Sequence, residues 1–221
     1  MKKISALAFI QVLVLGVIIL MSHVPKDLTY SDVKVLNSLG IEFKELNGNF
    51  DVEIQTIKKI QAIVFSNVEF AEGVSIGDKR EISDILNKKK GLCYDRSRLI
   101  EKLLVGYGLR TRHIFVLESI NDSFLKSVTT KNIQTHAATE VETAKGWLIV
   151  DSIAPWLSLD NDGDPVELSA LSENFQSMKE VPKIFTEKHF YIYGLYSRNG
   201  MMFPPFVHVP DINVWELKYN F

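Results

Sequence analysis

"GLCYDRSRLIEKLLVGYGLRTRHIFV", residues 91–116, holds Cys93, the only cysteine among 221 residues. Leu99, Ile100, Leu103, Leu104 and Tyr107 recur at helical spacing and form one apolar stripe. Gly108 followed by Leu109 is a helix stop, and residues 110–118 then read as a strand. The spacing therefore predicts an amphipathic helix that opens on Cys93, directly after Gly91-Leu92. A single cysteine makes no internal disulfide, so the thiol is either packed filler or a reactive group. At a helix N-terminus the macrodipole and unpaired backbone N–H groups stabilise negative charge, whether on a sulfur or on a nearby oxyanion.

Downstream, "THAATEV" (135–141) and "GWLIVDS" (146–152) read as two strands joined by Glu142-Thr143-Ala144-Lys145. Pairing Val141 with Gly146 across that four-residue loop puts His136 opposite Asp151, Ala138 opposite Ile149 and Glu140 opposite Trp147. Opposed residues share a face at ~4.5–5.5 Å between Cβ atoms, and a one-residue slip would separate them. Cys93 as nucleophile, His136 as base and then acid, and Asp151 as orienter form a set suited to acyl transfer.

These blocks together resemble the transglutaminase-like superfamily over roughly residues 51 to 155. The positions that carry the resemblance are Gly91, Cys93, Leu103, Leu104, Gly108, Leu109, Arg112, His136, Ala137, Glu140, Val141, Trp147 and Asp151. The resemblance implies a papain-like α+β fold, with the cysteine helix packed on an antiparallel sheet, and a catalytic triad of Cys93, His136 and Asp151. The chain departs from the family in two places. Ala138 stands where many members have Trp, and no Trp precedes position 147, which leaves an oxyanion-hole partner to be sought near Asn67 and Phe70. The calcium sites and accessory β domains of the animal cross-linking enzymes have no counterpart in the sequence.

Apolar residues make up 46% and charged residues 24%, a globular balance. A formal charge of −2 gives no polybasic footprint and argues against nucleic acid. Lys2-Lys3 precede an 18-residue apolar run, "ISALAFIQVLVLGVIILM". We expect a membrane anchor there, with a cleaved signal or a buried helix as alternatives. The lysines orient the remainder outside the cytoplasm, as a single-pass membrane protein. The expected divisions are an anchor or signal segment (1–24), a lead-in (25–50), the transglutaminase-like core (51–160) and a C-terminal extension completing that core (161–221).

Other readings follow from local pattern. A helix is expected over about 52–66 with Asp51 as N-cap, a shorter one in "EISDILNKKK" (81–90), and an irregular loop over 121–134. "DNDGDP" (160–165) is a turn, because Pro165 and Leu171 stand where a calcium loop needs glycine and an acidic ligand. Arg112, Trp147 and His113 suit packing, and Asp95 a solvent-facing or capping place. His189 and His208 could line the cleft. The aromatic tail either completes the sheet or walls a groove with Tyr193, Tyr196, Phe203 and Phe206. The expected function is a membrane-anchored, outward-facing cysteine enzyme that hydrolyses a peptide or amide bond through a Cys93 thioester. The alternatives are an amine-accepting cross-linker and a non-catalytic binding or assembly protein on the same fold. Peptides, proteins and cell-envelope polymers are the expected substrates, with no cofactor and no metal. Thiol redox chemistry is disfavoured because no second cysteine is available.

Overall fold

The helix that opens on Cys93 forms because both of its ends are chemically closed. At its start Leu92 is extended (φ −78°, ψ −178°) and donates its N–H to Asp95 Oδ2 at 3.0 Å. At its end Gly108 (φ +79°) takes the left-handed conformation. There Leu109 N–H reaches Leu104 O at 3.1 Å and Gly108 N–H reaches Val105 O at 2.9 Å. Leu99, Ile100, Leu103 and Leu104 are buried and pack with Ile57, Ile60 and Val64 of a preceding helix. Each such side chain contributes about 1.5–3 kcal/mol by leaving water.

The computed structural model describes residues 2–44, 46–78, 80–200, 202–207 and 211–221. In chain order the elements are α1 (Lys2–Ser22), α2 (Tyr30–Ser38), α3 (Phe50–Asn67), β1 (Glu69–Phe70), α4 (Ile82–Lys88), β2 (Lys90–Gly91), α5 (Cys93–Gly106) and β3 (Thr111–Glu118). They continue as α6 (Phe124–Thr129), β4 (Thr135–Thr143), β5 (Gly146–Asp151), α7 (Leu171–Asn174), α8 (Lys183–Thr186) and β6 (His189–Tyr193). The fold is α+β, built on an antiparallel sheet of order β5-β4-β3-β6. Helix α5 lies on one face of this sheet, where Ser97 Oγ is 2.9 Å from Thr139 Oγ1. The opposite face carries Ile114, Val116, Ala138 and Ile149 beneath Trp156, Leu171 and Phe185. A two-stranded parallel ladder, β1 with β2, lies beside the start of α5.

The hairpin register differs from expectation by two residues. Thr143 pairs with Gly146 and Ala138 with Asp151, so the loop is two residues long and His136 is a diagonal neighbour of Asp151. The shorter turn is closed by Thr143 Oγ1 donating to Gly146 O (2.7 Å) and by Ala144 N–H donating to the buried Glu53 carboxylate (2.8 Å). Because side chains alternate with period two, a shift of two leaves His136 and Asp151 on the same face.

The lead-in contains a helix that local pattern did not mark. Helix α2 forms behind a capping box in which Thr29 and Asp32 bond each other's backbone N–H, and it buries Leu36 in the main core. Likewise α6 occupies the expected 121–134 loop, capped by Ser123. The N-cap of α3 is Asn49, whose side chain accepts from Val52 N–H at 3.2 Å, in place of Asp51.

Helix α1 leaves Phe9, Val12, Leu15 and Leu20 exposed. The expected membrane-spanning helix is not found: among the described residues no helix is long and apolar enough to cross a membrane.

The tail completes the sheet. β6 is its fourth strand, while Tyr193 and Tyr196 are buried with their hydroxyls donated to Glu140 and Glu101. Tyr196 also lines a pocket with Arg80, Tyr94 and Arg98. Phe203 packs under the Arg198 guanidinium and Phe206 is exposed. His208 lies outside the described residues.

Candidate active site

The chain entering α5 can pack closely against Val68, at the end of α3, and against Asp95 because Gly91 has no side chain. A Cβ there would lie 2.8 Å from Asp95 Cβ and 3.1 Å from Val68 Cγ1. This accounts for the glycine two residues before Cys93. The half-buried Cys93 lies beside His136, near the beginning of β4. The imidazole Nε2 lies 2.6 Å from Asp151 Oδ2, which leaves Nδ1 for the sulfur. Asp151 is itself held, with its Oδ1 accepting from the N–H groups of Ile153 and Ala154 at 2.7 Å each. Asp151 meets His136 through a diagonal contact across the hairpin, and Cys93 stands beside the ring.

Burial alone would lower the imidazole. The hydrogen bond to Asp151 and the charge of that carboxylate, with Cys93 beside the ring, reverse this and raise His136 to about 9. The ring is therefore an imidazolium at neutral pH, with one N–H for Asp151 and one for the sulfur. Phe185 meets it edge-on at 5.8 Å and walls off water on that side.

Neighbouring charges support the α5 N-terminus. Asp95 is fully buried, not solvent-facing: Oδ2 caps Leu92 and Oδ1 pairs with Arg80 Nε at 3.1 Å. Burial raises the Asp95 carboxyl against the opposing pull of Arg80 and the Leu92 N–H. Arg80 also bonds Tyr94 OH at 3.1 Å, fixing the residue next to the thiol. Arg96 donates to Val68 O and, at 3.4 Å, to Ser152 O, so it joins the cysteine helix to the chain beyond Asp151. Sequence reading did not single out Arg80 or Arg96. Arg96 follows Cys93 by three residues, one helical turn, and that spacing was the available signal.

The remaining motif positions are structural. Arg112 Nε bonds the buried Glu140 at 2.6 Å, and its guanidinium lies 4.2 Å from the Trp147 ring and 4.4 Å from that of Tyr193. Glu140 also accepts from Leu168 N–H and Tyr193 OH. His113 is fully buried, stacked on Tyr196 at 3.8 Å. Burial, then the charges of Lys26 and Arg98, lower it well below the usual range. His189 donates to Glu187 O and meets Phe185, one ring removed from His136. Asn67 Nδ2 donates to Ile63 O at the end of its own helix, and Phe70 lies under Arg96, so neither side chain is an oxyanion donor. Asp160 Oδ1 accepts from Asp162 and Asp164 N–H, and Asp164 pairs with Lys145, as in a turn. Among the described residues no group of His, Cys, Asp and Glu is gathered to hold a metal.

The family model of the transglutaminase-like superfamily matches residues 44–152. A solved structure from Cytophaga hutchinsonii, described as a "putative cysteine protease", is similar at 18% identity and a TM-score of 0.38, over 68% of this chain and 45% of that one. This chain thus spans less than half the length of that protein. No curated protein matches. With Cys93, His136 and Asp151 all inside it, the segment 44–152 is a transglutaminase-like domain.

Proposed function

We propose that this protein is a cysteine acyl-transfer enzyme that hydrolyses a peptide or amide bond. The observation that carries the reading is His136 held between Cys93 and Asp151, with Nε2 fixed at 2.6 Å from the carboxylate. Cys93 attacks as thiolate and forms an S–C bond to the carbonyl carbon. The resulting oxyanion is stabilised by first-turn N–H groups of α5, which lack intrahelical partners. His136 gives its Nδ1 proton to the leaving nitrogen as the C–N bond breaks, releasing amine and leaving a thioester. The neutral ring then takes a proton from water, whose oxygen attacks the thioester and releases acid and thiolate. Asp151 holds the ring's tautomer and balances the imidazolium charge. Water needs no dedicated acceptor subsite, which makes hydrolysis the simplest outcome of this geometry.

The test is intact-mass detection of an acyl adduct on Cys93 after incubation with an envelope extract, followed by product analysis with a peptide amide. Free acid is the expected product. Amine-conjugated product in preference to acid would overturn hydrolysis, and absence of any adduct would overturn the enzyme reading.

We also propose that α1 attaches the protein to a membrane, with the body outside the cytoplasm, where peptides, proteins or cell-envelope polymers would be its substrates. The exposed apolar side chains of α1 and the preceding Lys2-Lys3 support this. Recovery of the full chain in the soluble fraction after cell lysis would refute attachment.

A further inference from the structure

The turn that follows Asp151 is gripped from the opposite layer of the fold. Gln61, on α3, is 3% exposed. Its Nε2 donates to three backbone carbonyls: Asp151 at 2.8 Å, Ala154 at 3.0 Å and Trp156 at 3.1 Å. Residues 151–156 curl so that the N–H groups of Ile153 and Ala154 aim at Asp151 Oδ1. Asp151 N–H reaches Trp156 O at 3.2 Å, and Trp156 N–H reaches Ala154 O at 2.7 Å. One side of the turn thus presents donors to the carboxylate, and the other presents converging carbonyls to a single amide nitrogen. Three carbonyl dipoles brought together at their negative ends, those of Asp151 and Trp156 buried and that of Ala154 partly so, repel one another, and without a donor they would rotate apart. The peptide planes that would turn are those that hold Asp151.

We propose that Gln61 is a positioning residue for the candidate active site: it sets the 151–156 turn so that Asp151 presents Oδ2 to His136. The proposal rests on the enzyme reading above, but its first readout does not require turnover. A side chain that merely filled space would change stability alone. A positioning side chain changes the ring it positions through Asp151.

The experiment compares wild type with Gln61→Leu, Gln61→Asn and Val64→Ala. Leu keeps bulk and removes the donors. Asn keeps the amide but is one methylene too short to reach all three carbonyls. It is the variant expected to fold most readily, because the cleft of about 810 Å³ beside Gln61, lined also by Phe65, Ser66 and Trp156, admits water. Val64, fully buried one turn further along α3, is a stability control whose side chain has no hydrogen bond to give the turn. The measurements are the urea midpoint, the His136 ring titration by NMR, and hydrolysis of an anilide substrate. Gln61→Leu and Gln61→Asn should lower the His136 titration midpoint by about one pH unit, with anilide turnover falling ~10-fold or more. Val64→Ala should lower the urea midpoint and leave the titration in place. A folded Gln61 variant with the wild-type His136 titration would overturn the proposal. If wild type shows no acylation of Cys93, the enzyme reading falls while the titration comparison still decides the role of Gln61.

Discussion

Replacing Asp151 with Asn tests the candidate site at its most constrained atom. The carboxylate receives donors at both oxygens: Ile153 and Ala154 N–H at Oδ1, and the His136 ring at Oδ2. An asparagine has one oxygen and one NH2. Two backbone donors outweigh one, so the oxygen stays with Ile153 and Ala154 and the NH2 turns to His136 Nε2. That nitrogen must then accept, which moves the ring proton to Nδ1, facing the sulfur. Raising His136 from 6.5 to about 9 corresponds to about 3 kcal/mol in favour of imidazolium. The substitution removes the leading source of that stabilisation and leaves the burial that opposes it. Asp151→Asn should therefore bring the His136 titration to 6.5 or below. Hydrolysis of a p-nitroanilide, whose leaving group needs a proton, should fall by ~10³–10⁴, as for other triads with the wrong tautomer. Acylation by a p-nitrophenyl ester, whose leaving group needs none, should fall much less. The assay pairs ring NMR with release of nitroaniline and nitrophenolate. A variant that still titrates near 9, or that loses ester and anilide activity equally, would refute this reasoning.

Three further outcomes are expected. Cys93→Ala should abolish acylation and lower the His136 titration, with the circular dichroism of the folded protein unchanged; residual turnover above background would remove Cys93 from the chemistry. Gly91→Ala should lower stability by about 1–3 kcal/mol in urea, because the added methyl meets Asp95 and Val68 at less than contact distance; an unchanged midpoint would show that the approach is slack. The His136 contribution to stability, about 3 kcal/mol, is fully present below pH 6.5 and is lost as pH rises through about 9, since the folded state binds the extra proton. Glu216 acts in the same sense at lower pH. Burial, then the neighbouring Glu101 charge, push it up to about 7, so its contribution is lost as pH rises from 4.5 through about 7. Urea midpoints that rise across pH 5–9 would contradict both assignments.

Much of the site was legible because its signals are local. The stripe from Leu99 to Tyr107 and the glycine stop fix α5, and with it the place of Cys93. The hairpin was legible as a face but not as a register. Glu142-Thr143-Ala144-Lys145 contains no strong turn pair, and what selects the two-residue loop is Glu53, which is remote in sequence. The error was harmless because the shift was even. Helices α2 and α6 were missed because each is short and is set by a single capping side chain, Thr29 or Ser123. Gln61 and Arg80 act through backbone carbonyls or a buried carboxylate contributed by distant segments, so no nearby sequence pattern marks them, and for Arg96 the one-turn spacing from Cys93 was the local signal. The aromatic tail was ambiguous for a similar reason: Tyr193 and Tyr196 point inward because Glu140 and Glu101 await them there.

The exit from α1 and the far end of the chain are fastened together. Val24 N–H bonds Ile212 O, Asn213 Nδ2 bonds Val24 O at 3.0 Å, and Lys26 pairs with Glu216 and with Glu101 of α5. A pull or tilt arriving along α1 therefore loads this clasp first. Through Glu101 the strain then reaches the cysteine helix about two turns from the thiol, giving the protein a mechanical line from its N-terminal helix to its reactive sulfur.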